Sequence, residues 1–431
     1  MGRGRRHRHN GLVTATATHR AIDAVWRIES ARLIAGLTRI VRDIGVAEEL
    51  AQDALVAALE QWPEAGVPHN PGAWLMTTAK HRAIDRIRRD QTLARKLAEL
   101  GRASEIAQAT MPDFTDNLDD DIEDDLLRMM FTACHPVLSK EARAALTLRV
   151  IGGLTTDEIA RAFLVGEATI AQRIVRAKRM LADADIPFEV PLAAERADRL
   201  SSVLEVIYLI FNEGYSATAG DDWLRPGLCE DALRLGRILA ELAPTEPEVH
   251  GLVALLEIQA SRSRARVRAN GEPVLLLEQD RGRWDFLLIN RGLAALERAA
   301  ALGQVQGPYV LQAEIAACHA RARVPGDTDW ARIVSLYEQL AVVNPSPIVE
   351  LNRAVAVTMA LGAEAGLAIL DRIADDPSLR NYHLLPSVRG DFLARLGRVD
   401  EARLEFERAA GMTRNSRERD LLLERARASR G

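Results

Sequence analysis

Two stretches of this chain place residue types at spacings suited to gripping a nucleic acid. In the first, Arg82, Arg86 and Arg89 recur at i, i+4 and i+7 on a segment whose spacing predicts a helix over Pro71–Asp90, with Lys80 and Arg88 beside them. Such a row can follow a phosphate backbone and release its counterions. Met76, Ala79, Ala83 and Ile87 make an apolar stripe on the other face. Trp74 lies next to that stripe, where its ring could stack on an unpaired base, although burial is favoured by the position. The same row could also be a solvated basic face on a structural helix.

The second stretch runs from Leu154 to Arg179. Thr155 with Glu158 makes a capping box, and Leu164-Val165-Gly166 reads as a turn. Ile170, Ile174, Ala177 and Leu181 give the following helix a face to bury. Thr169, Gln172, Arg173, Arg176, Lys178 and Arg179 are left as candidate DNA contacts. The pattern is a helix-turn-helix whose second helix can enter a major groove. Gln and Arg are the side chains that make bidentate contacts to adenine and guanine edges. An αα-hairpin with a basic rim is the bland alternative.

What must position these segments is legible in the rest of the 431 residues. A hydrophobic content of 48% excludes wholesale disorder. The net charge of -5 argues against a nucleic-acid binder only on average, because charge is segregated. Eight acidic and no basic residues lie between Asp113 and Asp125, whereas seven Lys and Arg stand against Asp85 and Asp90 between Trp74 and Lys96. Cys134, Cys229 and Cys318 are scattered singly, which points to reduced thiols; Cys134-His135 without a second ligand pair makes a poor metal site. With no nucleophile constellation, phosphate-binding glycine loop or metal motif, neither enzymatic activity nor a cofactor or metal is expected. No apolar run reaches membrane-spanning length, and the basic opening Met1–Arg8 lacks the apolar segment of a signal peptide, so a cytoplasmic protein without membrane association is expected.

Apolar residues recur at helical spacing almost throughout, and the fold class is all-α; Pro273–Leu277 is the best strand candidate. A disordered basic arm is expected over residues 1–20. A first domain follows over 21–97, with helices Val25–Ile44, Ala47–Gln61 and Pro71–Asp90 and a loop Trp62–Pro71 holding three prolines. An acidic linker spans 98–121, a helix-turn-helix domain 122–184, and a helical-repeat domain 185–431. In that last block Leu361-Gly362 and Leu396-Gly397 recur 35 residues apart, close to the tetratricopeptide (TPR) period of about 34. Ala402, Phe406 and Ala409, and Tyr337 with Pro345, fit the same repeat.

Together these segments resemble sigma factors of the extracytoplasmic-function (ECF) type within the sigma-70 family, in the subgroup with a C-terminal TPR-like extension. Val46–Leu55 is similar to their region 2.2, Trp74–Arg89 to regions 2.3–2.4, and residues 143–181 to region 4. Tyr208–Tyr215 and Glu278–Arg281 look like parts of the extension. The resemblance implies an RNA polymerase core partner contacted by Glu48, Glu49, Gln52 and Asp53. It implies promoter DNA held at its -10 element by Trp74, Lys80, Arg82, Arg86, Arg88 and Arg89. The -35 element would be read by Thr169, Gln172, Arg173, Arg176, Lys178 and Arg179. The extension would be regulatory and would take a protein or peptide ligand. Asn212, Glu213, Asp221, Asp222, Glu278, Asp280 and Arg281 could line a pocket there or serve as caps and ion pairs. The competing function is a helix-turn-helix regulator with a TPR sensor that never joins polymerase.

Overall fold

The computed structural model describes residues 6–99, 122–163, 165–216, 219–220, 224–268, 272–303 and 306–428. Most of the acidic linker (residues 100–121), and the pocket candidates Asp221 and Asp222, lie outside these described residues. The chain divides into two compact units, one comprising residues 1–161 and 165–206 and the other 162–164 and 207–431.

The first unit opens with α1 (Arg6–Val41), α2 (Ile44–Ala65) and α3 (Pro71–Glu99), which pack on one another. Residues 6–20, expected to be a disordered arm, are therefore helical. The α2 face that meets its neighbours is built of small residues: Ala47, Ala51, Ala54, Ala57 and Ala58 are all buried, with Leu50 and Trp62 as the larger members. Asp43 caps α2 by accepting the Val46 N–H at 2.8 Å. The expected loop from Trp62 is shorter than its prolines suggested. Pro63 sits inside the last turn of α2, where it has no N–H to give the Leu59 carbonyl, and Gly66 terminates the helix at φ +85° with its N–H on the Trp62 carbonyl. Asn70 then caps α3, with Pro71 in its first turn.

Four shorter helices follow: α4 (Ile122–Ala133), α5 (Lys140–Val150), α6 (Thr156–Phe163) and α7 (Glu167–Asp183). α4 packs on α1, and α5 on α7. The next helix, α8 (Ala193–Tyr215), belongs to the first unit as far as Val206, beyond the boundary near residue 185 read from the sequence. Polar contacts fasten it there. Arg199 donates to the Phe131 carbonyl at 2.9 Å, Ser202 to the Cys134 carbonyl at 2.6 Å, and the buried Arg143 meets Ser202 and Glu205.

The second unit is a run of helices, each packed on its neighbours in the chain: α9 (Pro226–Leu242), α10 (Pro247–Ala260), α11 (Phe286–Ala301), α12 (Pro308–Arg321), α13 (Trp330–Val343), α14 (Pro347–Leu361), α15 (Ala363–Ile373), α16 (Leu384–Arg395), α17 (Val399–Met412) and α18 (Ser416–Ala428). This is a solenoid-like arrangement, as the helical periodicity and repeat predicted. Gly362 and Gly397 stand at φ +100° and +74°, between α14 and α15 and between α16 and α17, which is why glycine recurs at these two turns. Ala402, Phe406 and Ala409 are buried in one core cluster.

Two features of this unit were not legible in sequence. Residues β1 (Ala219–Gly220) and β2 (Arg414–Asn415) pair in parallel, tying the start of the unit to its end. The irregular segment 261–285 contributes arginines to helix C-termini: Arg266 donates to the Tyr215 carbonyl ending α8, and Arg281 to the His319 and Ala322 carbonyls ending α12, at 2.5, 2.8 and 2.6 Å. Those carbonyls lack intrahelical partners and carry the negative end of the helix dipole, so buried guanidinium groups are stabilised there. Arg281 and Asp280, weighed as pocket residues, thus act in structure: Asp280 caps a 3-10 turn through the Gly282 N–H. Glu213 likewise pairs with Arg225. The strand candidate Pro273–Leu277 forms one bridge, Val267 to Pro273, before a 3-10 turn at Leu276.

Candidate nucleic-acid interface

The helix-turn-helix is formed by α6 and α7. The Thr155 N–H is accepted by Glu158 at 2.8 Å and the Glu158 N–H by the Thr155 hydroxyl at 3.2 Å, the reciprocal bonds of a capping box. Ile170, Ile174, Ala177 and Leu181 are buried along α7, as their spacing required. On the opposite face Thr169, Gln172, Arg176 and Arg179 are exposed, and Arg173 flanks them half-buried. Arg179 is held only loosely, by Asp183 one turn on at 3.3 Å. Val175, 64% exposed and next to Gln172 and Arg179 around the helix, shares this face. The sequence reading passed over it because an apolar residue on a charged face carries no electrostatic signal.

Lys178 does not join them. Its ammonium turns inward to the Glu48 carboxylate. Glu48 is only 5% exposed and also accepts from Arg149 Nε at 2.6 Å and Gln52 Nε2 at 3.0 Å. Burial works to raise the Glu48 carboxyl, but Lys178 and Arg149 outweigh it and hold it below the usual carboxylate range. Two residues assigned from sequence to different surfaces, Glu48 to a polymerase and Lys178 to DNA, therefore bury each other. Arg149, which completes the cluster, was not singled out; its only sequence signal was an arginine within an otherwise apolar run.

On α3, Arg82, Arg86, Arg88 and Arg89 reach solvent or its edge. Arg82 pairs with Asp53 at 3.3 Å and Arg86 with Glu49 at 3.0 Å, so the basic row of α3 faces the acidic row of α2. Arg82, Arg86 and Arg89 line a groove of 530 Å³ with Leu50, Asp53 and Asp90. Exposed pairs of this kind are worth about 0–1 kcal/mol, so phosphate can displace the carboxylates. Lys80 lies on another face. Burial first and Arg39 second push its ammonium down, against the pull of Asp125. Trp74 is half-buried, its ring edge-to-face with Trp62 at 5.4 Å, which follows the position beside the apolar stripe.

Among the described residues no group of three metal-ligating side chains occurs, and no helix is long and apolar enough to cross a membrane. Cys134 meets the Thr147 hydroxyl at 3.3 Å and His135 Nδ1 accepts the Val137 N–H at 3.1 Å, so both are engaged locally.

A helix-turn-helix joined in one all-α unit to a second basic helix defines a DNA-binding protein. The family model of sigma-70 region 2 matches residues 27–92, that of sigma-70 region 4 matches 128–181, and a family of unknown function, DUF6596, matches 199–300. An uncharacterized protein of Rhizobium meliloti (strain 1021) is 43% identical over 387 residues, covering 89% of each chain. The ECF RNA polymerase sigma factor SigK of Mycolicibacterium vanbaalenii is 31% identical over 158 residues, 36% of this chain and 76% of that one. SigK of Mycobacterium tuberculosis (strain ATCC 25177 / H37Ra) is 30% identical over 148 residues, 33% and 74% respectively. No solved structure matches. The chain belongs to the sigma-70 family of RNA polymerase sigma factors and is ECF-like, which places it in transcription initiation.

Proposed function

We propose that this chain is a polymerase-bound promoter-specificity subunit whose two basic helices act on two promoter elements. The Arg82, Arg86, Arg88 and Arg89 face of α3 grips the -10 element, with Trp74 flanking the site. The Thr169, Gln172, Arg173, Arg176 and Arg179 face of α7 reads the -35 element. Glu49, Gln52 and Asp53 of α2, exposed where Glu48 is buried, meet the polymerase core. The observation that carries this reading is the outward presentation of both basic faces, with Gln172, Arg176 and Arg179 exposed opposite the buried Ile170–Leu181 stripe. A regulator that binds operators alone leaves the α3 face without a role.

The second unit, with its TPR-like repeat, regulates initiation through a protein or peptide ligand. Deleting it after Val206 tests that role. Altered promoter output in cells supports regulation, and unchanged output contradicts it. The promoter assignments are tested by footprinting holoenzyme made with alanine variants of each face. Loss of -35 protection on altering α3, or of -10 protection on altering α7, would reverse the assignment.

A further inference from the structure

Three guanidinium groups and two aromatic rings of the second unit alternate in a ladder. Arg266 lies 3.5 Å from the centre of the Tyr215 ring. Arg262 stands 5.7 Å from that ring and 5.8 Å from the ring of Trp284, and Arg281 stands 5.1 Å from Trp284. Arg266, Arg281 and Trp284 are buried, and Arg262 is half-buried. A guanidinium does not lose its proton inside a protein, so like charges lie side by side at low dielectric.

Ring faces and helix C-termini offset only part of that charge. Arg262 Nη2 meets neutral acceptors, the Tyr215 hydroxyl at 2.6 Å and the side-chain oxygen of Gln259. Arg281 gives its Nη atoms to the His319 and Ala322 carbonyls and to the Thr328 hydroxyl. Among the described residues neither Arg262 nor Arg281 forms an ion pair with a carboxylate. The acids at hand turn elsewhere: Asp280 accepts the Gly282 N–H, Asp285 caps α11, and Asp327 acts on Arg281 only through space. Three buried donors are left without an acceptor, namely Arg262 Nε, Arg281 Nε and Trp284 Nε1. His319 registers the same excess charge, since burial, then Arg262 and Arg281, bring its imidazole down to about 4. Unopposed cations and unmet donors in one cluster suit an acceptor that carries negative charge.

We propose that this cluster is an oxyanion site, in which Arg262 and Arg281 take one carboxylate or phosphate group beside Trp284. The Nε edge of a guanidinium matches the oxygens of either group. Arg262 is the member of the ladder nearest solvent, with exposed Arg264 and Arg283 close to the cluster in sequence. The site gives the second unit a small anionic ligand and rests on neither promoter assignment.

The test titrates the full chain in a calorimeter with inorganic phosphate and, separately, with acetate, ionic strength being held constant with sodium chloride. One saturable site is expected; binding of phosphate alone identifies a phosphoryl ligand, and binding of acetate a carboxylate one. Arg262→Gln should weaken that binding at least about tenfold, through loss of a charge-assisted contact. A readout local to the cluster separates the site from loose surface binding. A bound anion opposes Arg262 and Arg281, so at saturating phosphate the His319 pKa should rise from about 4. Imidazole NMR between pH 7 and 4 follows it, with His319→Gln assigning the signal. No saturable binding of either anion overturns the proposal, as does binding that Arg262→Gln leaves unchanged. So does a His319 imidazole indifferent to phosphate, a result read on the wild-type chain even if Arg262→Gln does not fold. No polymerase or promoter enters the titration, so its failure removes the anion site and leaves the promoter-specificity reading standing.

Discussion

Arg86 Nη1 of α3 stands 3.0 Å from Glu49 Oε2 of α2, so a member of the basic row is held by a member of the acidic row. Both side chains are about half exposed or more, and the pair contributes little to the fold. Arg86→Ala and Arg82→Ala should therefore each change unfolding free energy by under about 1 kcal/mol in urea titrations. The same variants should weaken binding of holoenzyme to promoter fragments across all sequences, each lowering the salt slope by about one. A large stability loss, or an unchanged salt slope, would count against a phosphate-facing row.

The α7 face makes a base-level prediction. Gln172→Ala and Arg176→Ala should each cost about 1–3 kcal/mol on the preferred -35 sequence and relax discrimination at one position. Binding assays on single-base promoter variants would show this. A uniform loss on every variant means that these side chains touch phosphate only.

Val175 adds a methyl-sensitive contact to that face. An apolar side chain beside Gln172 and Arg179 suits the 5-methyl group of thymine. Replacing one -35 thymine by deoxyuracil should weaken binding of wild type, at about 0.8 kcal/mol for the buried methyl. Val175→Ala should lose sensitivity to that replacement. Equal responses in both proteins would remove Val175 from the reading surface.

How much of this was legible beforehand follows from what each signal rests on. Helical periodicity and caps are local, so the all-α class, the Thr155–Glu158 capping box and the buried stripe of α7 were readable from a few neighbouring residues. The Leu361-Gly362 and Leu396-Gly397 turns were readable because positive φ selects glycine. Side-chain direction at the edge of a stripe was not. Lys178 is one residue from Ala177, and only contact with Glu48, 130 positions away, decides that it turns inward. The pairing of β1 with β2 and the Arg281 bonds to α12 are also long-range, and nothing in the local pattern marks them.

The Glu48 cluster predicts an acid-sensitive contribution to the stability of the first unit. Its carboxyl is held below the usual range in the folded chain, facing Arg149 of α5, Lys178 of α7 and Gln52 of its own helix. A lowered folded-state pKa gives stability that is present above the unfolded value and lost as pH falls through the folded one. Glu48→Gln should lower stability by about 2–3 kcal/mol at pH 7, below the upper range for buried pairs because both cations keep some solvent contact. Urea titrations from pH 7 down to 3 should show the difference between the two proteins shrinking. A constant difference would contradict the assignment.

In the second unit the buried His319 predicts an opposite group but the same direction. Burial, then Arg262 and Arg281, bring its imidazole down to about 4. The unfolded chain therefore binds an extra proton between roughly pH 4 and 6.5, and stability contributed by neutral His319 is lost as pH falls across that window. His319→Phe should flatten this part of the stability profile; a profile unchanged by the substitution would refute it.

In the proposed function the two basic faces work as parts of a polymerase subunit. Its most direct test is transcription in vitro with purified core polymerase, the full chain and promoter fragments from its own genome. Start-site-specific transcripts should depend on the chain and disappear when the exposed arginines of α3 or of α7 are replaced. Sequence-specific promoter binding that is independent of core, with no initiation when core is supplied, would contradict it.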